Sequence, residues 1–182
     1  MITGIPLILA LILICQTQIE WDMIRNEKHH TGFVTGEIKA PLHPAWSTYF
    51  LSERFGSNFE PVFSEDRVFV NTHNGSVYAL DDESGKAIWR FHTDGCFLNS
   101  PAVFRNLVIS GCTDGYLYAL DNKSGEVKWS LYAGQGGFSA APVISDGKIF
   151  IGARNGIFLA VDALSGKIIW KQNTASPIRQ TA

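Results

Sequence analysis

The chain is short of charge and nearly balanced in it. Only 18% of its 182 residues are Asp, Glu, Lys or Arg, and 15 basic residues face 17 acidic ones for a net charge of -2. No basic excess exists to condense on a phosphate backbone, so a nucleic-acid partner has no electrostatic support. Three cysteines are too few for a disulfide-stapled scaffold. No apolar run is long enough to span a bilayer. The longest, residues 5–15, covers about 16 Å as a helix against a hydrocarbon core of ~30 Å. Residues 1–18 carry no charge, and an apolar stretch of this length at the extreme N-terminus reads as the core of an export leader. It lacks the usual Lys or Arg and a clean small-x-small cleavage site. Cys15 stands where a lipobox cysteine would, but Ile14 precedes it where a small residue is expected. The alternatives for Cys15 are an acylated N-terminus or one more apolar leader residue. Export places the protein in the periplasm, cell envelope or extracellular space, with membrane association through the leader.

What the chain has is repetition. Residues 69–89, 109–129 and 150–170 align without gaps. Trp89, Trp129 and Trp170 stand 40 (129 − 89) and 41 (170 − 129) residues apart. Asp81, Asp121 and Asp162 keep step, as do Gly85, Gly125 and Gly166, Pro61, Pro101 and Pro142, and Gly75, Gly115 and Gly156. Each copy reads as four short antiparallel strands. Strand a covers 61–63, 101–104 and 142–144; strand b covers 67–71, 107–111 and 148–152. Strand c covers 76–80, 116–120 and 157–161; strand d covers 86–91, 126–131 and 167–172. Asn74-Gly75, Asp114-Gly115 and Asn155-Gly156 predict two-residue type I′ hairpins between b and c. The Asp-x-x-Ser-Gly segments predict side-chain-bonded turns between c and d.

Four-stranded units at a period of about 40 residues mean an all-β fold, a β-propeller of stacked antiparallel blades. The organisation expected is a leader at 1–18, a lead-in segment at 19–43 and propeller repeats over 44–182. Within the last, 44–55 is an N-terminal closing outer strand around Trp46, and 59–93, 99–133 and 140–174 are blades. Residues 176–182 open a further one. The propeller is thus incomplete, three full blades plus the closing strand. Seven or eight blades would need on the order of 290–330 residues. The open blade edges invite self-association.

The pattern Gly-x-x-Tyr-Ala-Leu-Asp-x-x-Ser-Gly-Lys-x-x-Trp, closely matched at Gly115–Trp129 with Glu126 in place of Lys, resembles the pyrroloquinoline-quinone (PQQ) or tryptophan-docking repeat. Trp21-Asp-Met-Ile-Arg25 and Thr31-Gly32 resemble the segment that leads into such propellers. The resemblance implies that Trp46, Trp89, Trp129 and Trp170 dock neighbouring blades together. It also implies one of two functional classes. One is the non-enzymatic, BamB-like scaffold that binds a protein or peptide partner in the envelope. The other is the quinoprotein alcohol or sugar dehydrogenase, with PQQ and calcium. The dehydrogenase's Asp base, Glu and Asn calcium ligands and vicinal cysteine pair have no match here. Asp81, Asp121 and Asp162 each have repeat mates, which argues for turn structure. The non-enzymatic scaffold without cofactor or metal is therefore the reading preferred.

Polysaccharide binding by end-loop aromatics such as Phe97 and Phe138 is a third reading. His29-His30 lack a second ligand pair, His43 and His92 suggest no site, and His73 is expected on the surface beside a turn. Gly134–Gly137 lacks the strand-to-helix context of a phosphate loop. Cys96 and Cys112 stand either as a disulfide or as two free buried thiols. Counting outward from a turn at Arg105-Asn106 sets Cys112 opposite Asn99, so a bridge needs the loop to bend.

Overall fold

The computed structural model describes residues 7–8, 44–56 and 59–179. The leader apart from Leu7 and Ile8, the lead-in segment with Trp21, His29, His30 and His43, and Cys15 lie outside them. So do the last three residues of the chain.

Regular structure among the described residues is entirely β. Two short strands come first, β1 (Leu7–Ile8) and β2 (Thr48–Tyr49), paired antiparallel. Blade 1 is β3 (Val62–Ser64), β4 (Arg67–Asn71), β5 (Ser76–Asp81) and β6 (Ala87–His92). Blade 2 is β7 (Ala102–Phe104), β8 (Leu107–Gly111), β9 (Tyr116–Asp121) and β10 (Val127–Tyr132). Blade 3 is β11 (Val143–Ser145), β12 (Lys148–Gly152), β13 (Ile157–Asp162) and β14 (Ile168–Asn173). Each blade is a meander in which consecutive strands pair antiparallel. The architecture is an incomplete β-propeller. The b strands begin and end where the alternation and turn residues put them, while a and d start one residue later.

The hairpin between b and c differs from the type I′ expectation. Gly75 has φ +83°, but Asn74 keeps a negative φ. The Gly75 N–H donates to the Thr72 carbonyl at 3.3 Å, and the Thr72 N–H to the Ser76 carbonyl at 2.8 Å. This is a three-residue loop, a type I turn closed by a left-handed glycine. Blades 2 and 3 repeat it at Cys112–Tyr116 and Ala153–Ile157. Asn and Asp tolerate the left-handed region, but here their side chains are engaged elsewhere, and only glycine needs it.

The cores lie between blades, because a single sheet has two apolar faces and cannot cover either. Val62, Phe69, Val77, Ala79 and Phe97 of the first blade and its exit loop meet Val103, Val108 and Leu120 of the second. Ile109, Leu117 and Ala119 meet Ile144, Ile149, Ile151 and Leu159 of the third. On the other side of blade 1, Val68, Val70 and Leu80 are covered by Phe50, Trp46, Phe55 and Phe59 from the segment before it. Each fully buried aliphatic or aromatic side chain contributes roughly 1.5–3 kcal/mol. The strand-d residues stay largely exposed, as the outermost strand of each blade.

Candidate functional site

Two sets of side chains stand out, one repeated and one not. The repeated set is a peg and socket. The Trp46 indole N–H donates to the Asp82 carbonyl at 2.6 Å, Trp89 to Asn122 at 2.9 Å, and Trp129 to Ala163 at 3.2 Å. Each acceptor lies in the Asp-x-x-Ser-Gly turn of the next blade. The ring rests on that turn's glycine: Trp46 on Gly85, Trp89 on Gly125, Trp129 on Gly166. A methyl group at Gly125 or Gly166 would stand 2.7 Å from the indole, so these positions leave room for nothing larger than hydrogen. Trp170 contacts Phe150 and Phe158 and is 43% exposed.

Asp81, Asp121 and Asp162 hold the sockets in shape. The Asp81 carboxylate accepts the Ser84 N–H at 2.8 Å and the Ser84 hydroxyl, and Asp162 accepts the same pair from Ser165 at 2.8 and 2.7 Å. Asp121 accepts the N–H groups of Lys123 and Ser124, each at 3.0 Å, and is bridged by Lys128 at 3.3 Å. Bonding to Ser84 and Ser165 draws the Asp81 and Asp162 carboxyls below the usual range. At Asp121 burial pushes upward but is outweighed by the turn N–H groups and Lys128.

The unrepeated set sits where the segment preceding blade 1, residues 44–56, meets that blade. Glu53 is 8% exposed and both oxygens of its carboxylate are engaged. Thr72 Oγ1 donates to Oε2 at 2.6 Å; Ser76 Oγ and Tyr78 OH donate to Oε1 at 2.9 and 2.8 Å. Arg90 Nη2 lies 3.3 Å from Oε1, its Nε donates to Ser76 Oγ at 3.0 Å, and its guanidinium covers the Tyr78 ring at 5.5 Å. His92 Nδ1 is 3.3 Å from Ser76 Oγ. Burial pushes the Glu53 carboxyl upward, but the three hydroxyls and Arg90 together hold it below its ordinary value. The group is an anion held in place by three hydroxyls and Arg90, and Ser76 is fully buried. It binds the segment before blade 1 to that blade. Beside it opens a cleft of about 700 Å³ lined by Leu51, Ser52, Arg54, His73, Asn74 and Cys96. Asn74 ties its wall, accepting the Arg54 N–H at 3.0 Å and donating to the Ser52 carbonyl at 2.9 Å.

Two expectations need correction, on the loop aromatics and on His73, and the open alternative at the cysteines is decided. Phe97 and Phe138 are 1% and 0% exposed, so neither can meet a polysaccharide. Each donates its N–H to the end of strand b in the preceding blade, at Thr72 and Cys112, and inserts its ring between blades. Cys96 and Cys112 are both free. The loop does bend, but it aligns the Cys96 backbone with Thr113, whose N–H donates to the Cys96 carbonyl at 3.0 Å. The Cys112 Sγ is directed toward Gly95 and Thr93, 3.4 Å from the Thr93 hydroxyl. Its thiol is buried and pushed up to about 11. His73 is half-buried, with its ring against Gly56 and its N–H donated to the Arg54 carbonyl at 2.7 Å. Glu53 escapes a repeat-based reading because it has no counterpart in any copy.

The family described as the outer membrane protein assembly factor BamB matches residues 36–182. No curated protein sequence matches the chain. Among solved structures, BamB from Moraxella catarrhalis is similar with a TM-score of 0.58 at 21% identity, over 71% of this chain and 39% of its own. The quinohemoprotein alcohol dehydrogenase of Comamonas testosteroni gives a TM-score of 0.72 at 21% identity, over 86% of this chain and 27% of its own. The quinohemoprotein alcohol dehydrogenase ADHIIG of Pseudomonas putida HK5 gives 0.66 at 22% identity, with the same coverages of 86% and 27%. The chain therefore spans well under half the length of each, and at these identities the likeness is one of fold.

Proposed function

Because the chain belongs to the family described as outer membrane protein assembly factor BamB, we propose that it is a non-enzymatic, exported propeller scaffold that binds a protein or peptide partner in the cell envelope. The observation that carries this reading is where the carboxylates go. Asp81, Asp121 and Asp162 are engaged by turn N–H groups and serines, and Glu53 by three hydroxyls and Arg90. A quinone and calcium site needs carboxylate oxygens turned toward one ligand, and these four are turned into the fold instead. Their engagement favours the scaffold over the dehydrogenase reading. What the fold offers in their place is a rigid rim of loops and the outer edges of its blades, both suited to an extended partner.

The test is capture from a solubilised cell envelope on the purified 182-residue chain, alongside dye-linked alcohol oxidation with added PQQ and Ca²⁺. Recovery of outer-membrane assembly components without oxidation is expected. Retention of glycan alone, or quinone-dependent oxidation, would overturn the proposal.

A further inference from the structure

Blade 2 breaks the repeat at one place on its rim. Tyr116 opens β9 and faces Tyr132 at the end of β10. The matching cross-strand pairs are Ser76 with His92 in blade 1 and Ile157 with Asn173 in blade 3. Folding a blade therefore does not require tyrosines here. Yet Tyr116 is 38% and Tyr132 53% exposed, with ring centroids 5.0 Å apart.

The pair is held still from beneath. Tyr116 packs on Tyr118 at 5.7 Å, and Tyr118 on Phe91 of blade 1 at 5.1 Å. Tyr118 OH donates to Asp114 Oδ2 at 2.8 Å, and the Tyr116 N–H to Asp114 Oδ1 at 2.9 Å. Burial and then Asp114 push the Tyr118 hydroxyl upward, so it stays a donor. Gly95 abuts Asp114, which brings the exposed Asp94 to the same rim. Neither Asp94 nor Asp114 is among the carboxylates ion-paired within the described residues. Tyrosine faces carry negative potential, and the carboxylates beside them carry the same sign. Such a surface repels an acidic group and attracts a cation.

We propose that the Tyr116–Tyr132 rim is where this scaffold receives a lysine or arginine side chain from an extended basic segment of its partner. The proposal rests on the scaffold reading. β10 is the outermost strand of its sheet. A segment laid along its outer edge carries alternate side chains over Tyr132, as a cross-strand neighbour would. Preorganised rings then bind without an ordering cost.

The experiment titrates the whole chain with a short synthetic peptide alternating Lys and Val, and with its Glu-for-Lys counterpart, by calorimetry at low and high salt. The variants are Tyr116→Ser with Tyr132→His, which installs the blade 1 pair, and Asp114→Asn, which removes the charge while its amide oxygen still accepts the Tyr116 N–H and its NH2 faces the Tyr118 oxygen, which must then accept. Binding of the Lys peptide is expected, weakened about tenfold in each variant and by salt, with no binding of the Glu peptide. No Lys-peptide binding to the wild type, equal affinity in the variants, or equal binding of the Glu peptide would overturn the site. Thermal unfolding confirms that the variants fold. Envelope capture separates the two claims. If the variants still capture the wild-type partner, the rim fails and the scaffold stands. If the wild type captures nothing while the peptide result holds, the scaffold reading fails and the cation site stands.

Discussion

Replacing Trp129 with alanine should destabilise the protein by about 3–4 kcal/mol. The indole lies in the core between blades 2 and 3, against Gly166, and donates to the Ala163 carbonyl at 3.2 Å. Truncating a well-packed Trp to Ala costs about 3–5 kcal/mol, and Trp129 belongs near the lower end because it is only partly buried. Ala163 is fully buried, so its carbonyl loses a donor that water cannot easily replace, about 1 kcal/mol of that total. At roughly 2–4 °C per kcal/mol for a chain of this size, thermal unfolding followed by far-UV circular dichroism should move down by about 10 °C. Trp129→Phe keeps the ring contact and loses the donor, so it should cost about 1–2 kcal/mol. Trp170→Ala supplies the contrast, because its ring is 43% exposed and, among the described residues, its aromatic partners are Phe150 and Phe158 of its own blade. It should shift the midpoint by less than half as much. Equal shifts for Trp129→Ala and Trp170→Ala would refute the claim that the socket, rather than the ring itself, supplies the stability.

Gly125→Ala should cost about 2–4 kcal/mol, since a Cβ there meets the Trp89 ring at 2.7 Å and the backbone sits at φ +74°; urea unfolding reads it, and a neutral result would mean the turn can retreat from the indole. Glu53→Gln should cost about 1–2 kcal/mol at neutral pH, with the Arg90 pairing discounted because that side chain is 48% exposed. The folded-state pKa of Glu53 is depressed, so its contribution is present above the unfolded carboxylate range near ~4.3 and is lost as pH falls through the folded value. The wild-type advantage over Glu53→Gln should therefore shrink in acid, and a gap that stays constant from neutral pH to strong acid would sink the network's role. Thiol labelling followed by mass spectrometry should modify Cys96 in the native protein and Cys112 only after unfolding, because Cys112 is fully buried with its thiol raised to about 11. A requirement for reductant before either reacts would contradict two free thiols.

The fold was legible because the repeat states the same local chemistry three times over. Asp, Ser and Gly at fixed phase dictate a turn, and the alternation beside them dictates four strands. A tryptophan 33 or 34 residues before its acceptor dictates contact between neighbours rather than within a blade. The turn between b and c was misread for a related reason. Asn-Gly and Asp-Gly allow two hairpin geometries, and side-chain bonds made elsewhere decide between them. Asn74 bonds to the segment before blade 1, and Asp114 to Tyr116 and Tyr118, in each case with the backbone of a type I turn.

The candidate sites were not legible by the same route, and the reason is physical. Whatever recurs in every blade is accounted for by packing blades together, so repetition marks structure and hides function. Glu53, Tyr116 and Tyr132 carry no repeat signal. Glu53 reaches four residues of blade 1, and only the folded chain brings these within its reach. Tyr116 and Tyr132 could have been found by asking where equivalent positions disagree, since Ser76, Tyr116 and Ile157 share one phase and His92, Tyr132 and Asn173 another. That comparison still would not separate a buried substitution from an exposed one. Phe97 and Phe138 show why it matters: as aromatics in loops they resemble Tyr132 in sequence, yet they are sealed between blades while Tyr132 is 53% exposed. The difference comes from chain direction. Phe97 and Phe138, on the path from strand d into the next strand a, are buried between blades, whereas Tyr132 ends β10, the edge strand of its sheet. In a propeller, a divergent residue on an outermost strand is thus free to meet a partner, and one in the inward loop is committed to the core.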